Sequence, residues 1–136
     1  SLGGFEEKMI FNEDMVMAAK IIQSGYKVAY AAEAKVIHSH NYSCMQQFKR
    51  NFDLAVSQTD FPQIFEEVKS ENEGIRLVKE TARYLIRIRK PWLIFSLVTK
   101  SGFKFLGYRL GKKYKKLPGQ VIRRCTMNRR YWENNS

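Results

Sequence analysis

Apolar residues recur with the period of an α-helix through much of the chain. In the first such segment Asn12 is a favourable N-cap residue, and Gly25 ends the pattern. In the second, the spacing Ser43-x-x-Gln46 predicts a capping box at the start of a helix. The predicted buried stripes are Met15, Ala18, Ala19 and Ile22 in the first helix, and Met45, Phe48, Phe52 and Ala55 in the second.

Two short segments between these helices alternate with the period of a β-strand. Apolar or aromatic residues occupy every second position in residues 26–30, and Val36, His38 and His40 alternate in the same way. Both segments are too short to form more than a small sheet. The patterns together predict a mainly α fold with one short β pair.

The rest of the chain also has helical periodicity, interrupted by proline. A short helix is predicted from Pro62 to Val68, a longer one over residues 75–90, and another from Trp92 to Leu110 after the break at Pro91. Gly102 and Gly107 are expected to weaken this last helix. The ordered pattern is expected to end near Pro118 and Gly119.

Charge is distributed unevenly along the chain. Residues 1–74 contain 7 Lys and Arg against 11 Asp and Glu, a net charge of −4. Residues 75–136 contain 17 against 2, a net charge of +15. We therefore divide the chain into a first segment, 1–74, and a basic helical tail, 75–136, which is expected to bind a polyanion. The two cysteines show no metal-binding or disulfide pattern, and no apolar run is long enough to span a membrane.

Candidate chemistry is concentrated near the first helix and the second strand. Asp14 lies in the first helical turn, where the helix dipole favours an ionised carboxylate that could accept a proton from a hydroxyl group. His38 and His40 would share one face of a strand and could hold a metal. Each also has a simpler interpretation: the acid as a dipole partner, and the histidines as a surface or hydrogen-bonded pair.

Several motifs taken together resemble family 2 glycosyltransferases, and especially the rhamnosyltransferase-like enzymes of bacterial surface polysaccharide synthesis. The motifs are Gly3-Gly4-Phe5, Asn12-Glu13-Asp14, the stretch from Ile21 to Tyr30 that contains Gly25-Tyr26, and Val36-Ile37-His38-Ser39-His40. The resemblance covers residues 2–53 and extends more loosely to the tail. It implies that residues 1–74 are the C-terminal, acceptor-side part of an α/β GT-A catalytic domain, followed by the basic amphipathic helical tail, 75–136.

The resemblance also implies roles for individual residues. Asp14 corresponds to the general base that deprotonates the acceptor hydroxyl, and Glu13 to its acidic neighbour. His38 corresponds to a histidine that helps to bind the metal and diphosphate, with His40 the weaker candidate. Gly3, Gly4 and Phe5 correspond to a turn near the acceptor.

The family's Asp-x-Asp metal motif is absent, since none of the aspartates is two residues from another. The nucleotide-sugar donor is therefore expected to bind mostly to a preceding half that this chain does not contain. The resemblance implies an inverting transfer to a saccharide or lipid-linked acceptor, with Mg or Mn in the full-length enzyme. The chain by itself is expected to bind no metal and to be inactive.

The basic tail is predicted to bind an anionic membrane surface, which would place the protein in the cytoplasm on the inner face of the plasma membrane. The alternative is a non-catalytic helical module that binds membrane or nucleic acid; nucleic acid is disfavoured because no nucleic-acid-binding motif is present. Exposed apolar surface is also expected to favour a homo-oligomer. The predicted membrane-binding residues are Arg76, Lys79, Arg83, Arg87, Trp92, Lys112 and Lys113.

Overall fold

Helices make up most of the computed structural model, which describes residues 3–6, 8–37, 40–65 and 70–134. The mainly helical prediction is therefore confirmed. A 3-10 turn at Tyr114–Lys116 separates the fifth helix from the sixth. The helices are α1 (Glu13–Gln23), α2 (Cys44–Asp60), α3 (Pro62–Phe65), α4 (Ser70–Arg87), α5 (Leu93–Gly111), α6 (Gly119–Cys125) and α7 (Arg129–Asn134).

The predicted β pair is not formed by the residues that the structure describes. Residues 26–30, 36, 37 and 40 have no strand pairing, and the side chains of Tyr30, Val36 and Ile37 are almost fully exposed. A strand needs a neighbouring strand to receive its backbone hydrogen bonds, and an isolated pair is at best marginally stable in water. The alternating pattern thus lacks a sheet to join, and the GT-A architecture remains a prediction.

The starts of α1 and α2 show how far local patterns predict structure. The capping box is confirmed: the Ser43 backbone N–H donates to Gln46 Oε1 at 2.8 Å, and the Gln46 N–H donates to Ser43 Oγ at 3.2 Å. Asn12 precedes α1 as expected but adopts a left-handed backbone, φ 65°, and its side chain makes no capping bond. The apolar positions predicted for α1 are only partly buried: Ala18 and Ala19 are half-buried, whereas the buried residue of the helix is Val16, outside that pattern.

The buried face of α1 follows from the chain that precedes it. Ile10 belongs to the core, and this anchors the entry to α1 so that Val16 turns inward. Met15 and Ile22 are therefore about half exposed. In α2 the predicted stripe is confirmed in part: Phe52 and Ala55 are fully buried, Phe48 is half-buried, and Met45 is exposed.

Helices α2 and α5 pack with their backbones in close contact. A β-carbon added to Gly107 would lie 2.1 Å from the carbonyl oxygen of Phe48, and one added to Gly111 would lie 2.4 Å from that of Phe52. Only glycine permits this approach. Gly107, which was expected to weaken α5, instead allows its main tertiary contact.

The hydrophobic core joins residues from both predicted segments. Ile10, Phe52 and Val56 pack with Ile122 of α6. The expectation that order ends near Pro118 and Gly119 is wrong, because α6 and α7 follow and contribute to this core. The partly buried residues around it are Phe11, Leu110, Tyr114, Leu117, Cys125, Tyr131 and Trp132.

A buried carboxylate holds the turn between α6 and α7. Asp53 of α2 accepts a hydrogen bond from Thr126 Oγ1 at 2.7 Å and another from the Met127 N–H at 2.8 Å. Burial raises the pKa of Asp53 above its ordinary value, although these hydrogen bonds and nearby Lys49 oppose the shift. The site therefore links the position of the last two helices to the protonation state of Asp53.

We expect Asp53→Asn to remove a pH dependence of stability. The raised pKa means that the folded chain keeps this proton to a higher pH than the unfolded chain. The stabilisation is complete below the ordinary value of 3.8 and is lost as pH rises through the folded value. Urea unfolding should show the parent gaining stability relative to the variant as pH is lowered from neutral. A stability difference that does not change with pH would contradict the assignment.

Candidate functional site

The segment before α1 is attached to α2, which fixes where α1 begins. Ile10 is buried in the core, and Ser57 Oγ of α2 donates a hydrogen bond to the backbone oxygen of Phe11. Glu6 adds an ion pair with Lys20 of α1, with the two charged atoms 3.2 Å apart. The first turn of α1 is thus held against the core by both the chain before it and α2.

Asp14 and Glu13 occupy this first turn, and both are exposed. Asp14 Oδ1 accepts a hydrogen bond from the Met15 N–H at 2.8 Å, which orients the carboxylate at the helix start. No hydrogen bond within the described residues uses Asp14 Oδ2. The carboxylate can therefore accept a proton from a molecule that approaches from solvent.

Asn12 immediately precedes these acids and is 7% exposed. Its Nδ2 atom is buried and has no hydrogen-bond partner in the described part of the chain. Asparagine tolerates the left-handed backbone better than most residues, which explains the residue type at this position. The unsatisfied amide is a polar group that a ligand or a further part of a longer protein could satisfy.

The predicted acceptor turn lies earlier in the same segment. Gly3 and Gly4 both have φ of 75°, a left-handed conformation that glycine adopts without strain. Phe5 is 63% exposed, so its ring is available for contact with a ligand. The chain runs from this turn to Asp14 through the anchored residues Ile10 and Phe11.

The described residues do not form a metal site. His38 lies outside the described residues, and His40 is exposed with its ring stacked on Tyr42 at a centroid distance of 4.8 Å. Across the described ranges, no three His, Cys, Asp or Glu side chains come together to hold an ion.

Arg50 is a candidate that the sequence patterns did not single out. Its guanidinium carbon lies 4.6 Å from the ring centroid of Phe11 and 5.6 Å from that of Tyr42. This arrangement joins the segment before α1, the segment before α2 and α2 itself. No local signal could have found the cluster, because Phe11 and Arg50 are far apart in the sequence and meet only through folding.

The predicted membrane-binding residues lie on two parts of the surface. Arg76, Lys79, Arg83 and Arg87 are exposed on α4, where Arg76 pairs with Glu80 at 3.0 Å. Trp92 precedes α5, and Lys112 and Lys113 follow it, so a helix of about 28 Å separates them. In the described part of the chain, no helix has the length and apolar character needed to cross a membrane.

Two known proteins are similar to nearly the whole chain. The O-antigen chain rhamnosyltransferase WbaN of Salmonella anatum is 44% identical over 135 residues, which cover 98% of this chain and 42% of the relative. The O-antigen chain rhamnosyltransferase RfbN of Salmonella typhimurium is 45% identical over 134 residues, with the same coverage of each chain. No family model and no solved structure matches. The chain is thus similar, over almost its full length, to less than half of two O-antigen chain rhamnosyltransferases.

Proposed function

We propose that this chain is the acceptor-side part of a glycosyltransferase that transfers rhamnose from a nucleotide-sugar donor to a growing O-antigen saccharide. The similarity to two O-antigen chain rhamnosyltransferases over 98% of the chain carries this proposal. The chain spans 42% of the length of these relatives, and we propose the transfer activity for a full-length protein that contains this chain. The acceptor in such a pathway would be a saccharide, and we propose a lipid-linked one.

Exposed residues support the view that more protein covers this chain. Tyr26, Val28 and Tyr30 alternate along the chain and are exposed with no sheet to join, and the Asn12 amide is buried without a partner among the described residues. A neighbouring strand would satisfy the backbone of the first group and bury its side chains. The unformed β pair is therefore consistent with a GT-A sheet completed by residues outside this chain.

In the proposed reaction Asp14 is the general base. An acceptor hydroxyl donates its proton to Asp14 Oδ2 while its oxygen attacks the anomeric carbon of the donor sugar. The bond between that carbon and the donor phosphate oxygen breaks, and the nucleotide diphosphate leaves with the bonding electrons. Attack from the side opposite the leaving group inverts the configuration in one step. No covalent intermediate with the protein is needed.

The surrounding residues supply position and charge for this step. Ser57 holds the backbone of Phe11, three residues before the base, and so ties the location of Asp14 to α2. Arg50 stacks on the Phe11 ring and forms no ion pair with the described residues. The Arg50 guanidinium has the positive charge and the paired N–H donors that bind a diphosphate. Phe5 offers an apolar surface for a sugar ring.

A direct transfer assay tests the function. A full-length protein containing this chain is expected to move rhamnose from a nucleotide-linked donor to a lipid-linked saccharide, and NMR of the product should show an inverted anomeric centre. The 136-residue chain alone should transfer none. Equal use of an unrelated nucleotide-linked hexose would refute the rhamnose assignment, and a product with retained configuration would refute the single-displacement mechanism.

A further inference from the structure

The connection between α4 and α5 is an exposed apolar and basic surface with no part in the proposed transfer reaction. The two helices pack against each other, and residues 88–92 join them into a helical hairpin. We call residues 87–95 the hairpin tip. Its apolar side chains face solvent, with Ile88 37% exposed, Trp92 67% and Phe95 81%. Aromatic side chains exposed to this degree at one turn indicate a surface that contacts a partner.

Positive charge surrounds these apolar side chains. Arg87, Arg89 and Lys90 are exposed, and none of them forms an ion pair within the described part of the chain. After residue 75 the only acids are Glu80, which pairs with Arg76, and Glu133, which lies in α7. The tip therefore has three cations beside a tryptophan and a phenylalanine, and no carboxylate of the described residues pairs with them.

The backbone of Arg89 adds independent evidence. Arg89 has φ of 57°, and the bonds from its N–H to the Ile86 oxygen and from the Lys90 N–H to the Leu85 oxygen form a Schellman motif. Glycine is the usual residue at this position, because a side chain is strained there. An arginine with a strained backbone therefore lies at an exposed turn, and no ion pair with the described residues offsets the free-energy cost of that strain.

An apolar stripe continues from the tip along α5. Phe95, Val98, Phe105 and Leu106 are exposed, and their spacing places them on one face of the helix. Gly107 and Gly111, which contact α2, lie on the opposite face. The stripe extends for about 15 Å along the helix axis. It therefore points away from the core and continues the apolar surface of the tip.

We propose that the hairpin tip and the α5 stripe dock on an anionic lipid surface. Trp92 and Phe95 enter the headgroup region, and Arg87, Arg89 and Lys90 contact lipid phosphates. Charge complementarity selects this partner, because three cations that form no ion pair with the described carboxylates surround the apolar side chains that the lipid interface would bury. A nucleic acid would satisfy the cations but leave the aliphatic side chains of the stripe, Val98 and Leu106, exposed. Lipid docking does not depend on transferase activity, so either proposal can fail without the other.

A sedimentation assay with two matched charge variants tests the location of the surface. The chain is mixed with phosphatidylcholine vesicles that contain or lack phosphatidylglycerol. The first variant changes Arg87, Arg89 and Lys90 to Gln; the control changes Arg123, Arg124 and Arg130 to Gln, near the other end of α5. Three cations at about 1 kcal/mol each predict that the tip variant binds anionic vesicles on the order of a hundredfold more weakly. The control should bind almost as well as the parent, and added salt should weaken parental binding.

Arg89→Gly separates docking from folding. Glycine removes the backbone strain, so the variant should unfold at a higher temperature than the parent while binding anionic vesicles several-fold more weakly. Brominated lipid should quench the tryptophan emission of the parent, and Trp92→Phe should abolish that quenching while Trp132→Phe does not. These two readouts place the contact at the tip.

Several results would overturn the proposal. The proposal is wrong if the parent binds neutral vesicles as tightly as anionic ones, or if the two triple variants lose the same affinity for anionic vesicles. It is also wrong if Arg89→Gly binds vesicles as tightly as the parent, or if the quenching persists in Trp92→Phe. Tighter binding to single-stranded nucleic acid than to anionic vesicles would identify a different partner. Concentration-dependent self-association that is lost in the tip variant would instead assign the surface to a second copy of the chain.

Discussion

Replacing Gly107 by alanine is expected to destabilise this fold strongly. The new methyl group would lie 2.1 Å from the carbonyl oxygen of Phe48, and 2.9 Å from its carbonyl carbon, so a backbone would have to move. Helices α2 and α5 would separate, and the core that they share would open. We expect the free energy of unfolding to fall by about 3 kcal/mol or more, the upper end of the range for overpacked cores. For a small domain of ordinary stability this loss is a large share of the whole free energy of unfolding.

Gly102→Ala is the matched control in the same helix. Nothing lies within 4 Å of a β-carbon at this position, so the substitution meets no steric barrier. Alanine is the better helix former by about 0.5–1 kcal/mol, and the control should therefore be slightly more stable than the parent. Urea unfolding followed by circular dichroism measures both variants. If Gly107→Ala and Gly102→Ala shift the midpoint in the same direction, the close contact between α2 and α5 is not present.

Asp14→Asn is expected to reduce turnover of the full-length enzyme by about a hundredfold or more, because general-base catalysis contributes at least that factor. Asparagine cannot accept the hydroxyl proton. Its side-chain oxygen can still accept the hydrogen bond from the Met15 N–H, so the start of α1 is retained. The substitution therefore removes the proposed chemistry without removing the local structure.

Two measurements make this result specific to catalysis. Binding of the donor to the variant should equal binding to the parent, since the proposal gives Asp14 no contact with the donor phosphates. The variant should also unfold at the parent's temperature within error, because Asp14 is exposed. Turnover within a few-fold of the parent would exclude Asp14 as the base. Weakened donor binding with unchanged turnover would assign it to the donor site instead.

Local patterns were sufficient to predict most helices and one of their caps. The Ser43 capping box involves residues three apart, so its geometry is set by the chain itself, and the structure confirms it. The periodicity that predicted a helix ending at Leu110 likewise describes α5, which ends at Gly111. The division of charge was visible without a structure because charge is additive along a sequence. The capping box and the helical periodicity depend on residues within one or two helical turns of each other.

The tertiary structure alone decided which faces and residues these elements use. Glycine has an unfavourable helix propensity, and Gly107 stabilises the fold only because it lets the Phe48 backbone of α2 approach α5 closely. The link from Asp53 to Thr126, and the stack of Arg50 on Phe11, join residues that no periodicity connects. The predicted β pair is not confirmed for a related reason: a strand requires a pairing partner, and the described part of the chain does not supply one. Contacts between distant residues are set by how whole elements pack, and for that reason the pattern of a single segment does not determine them.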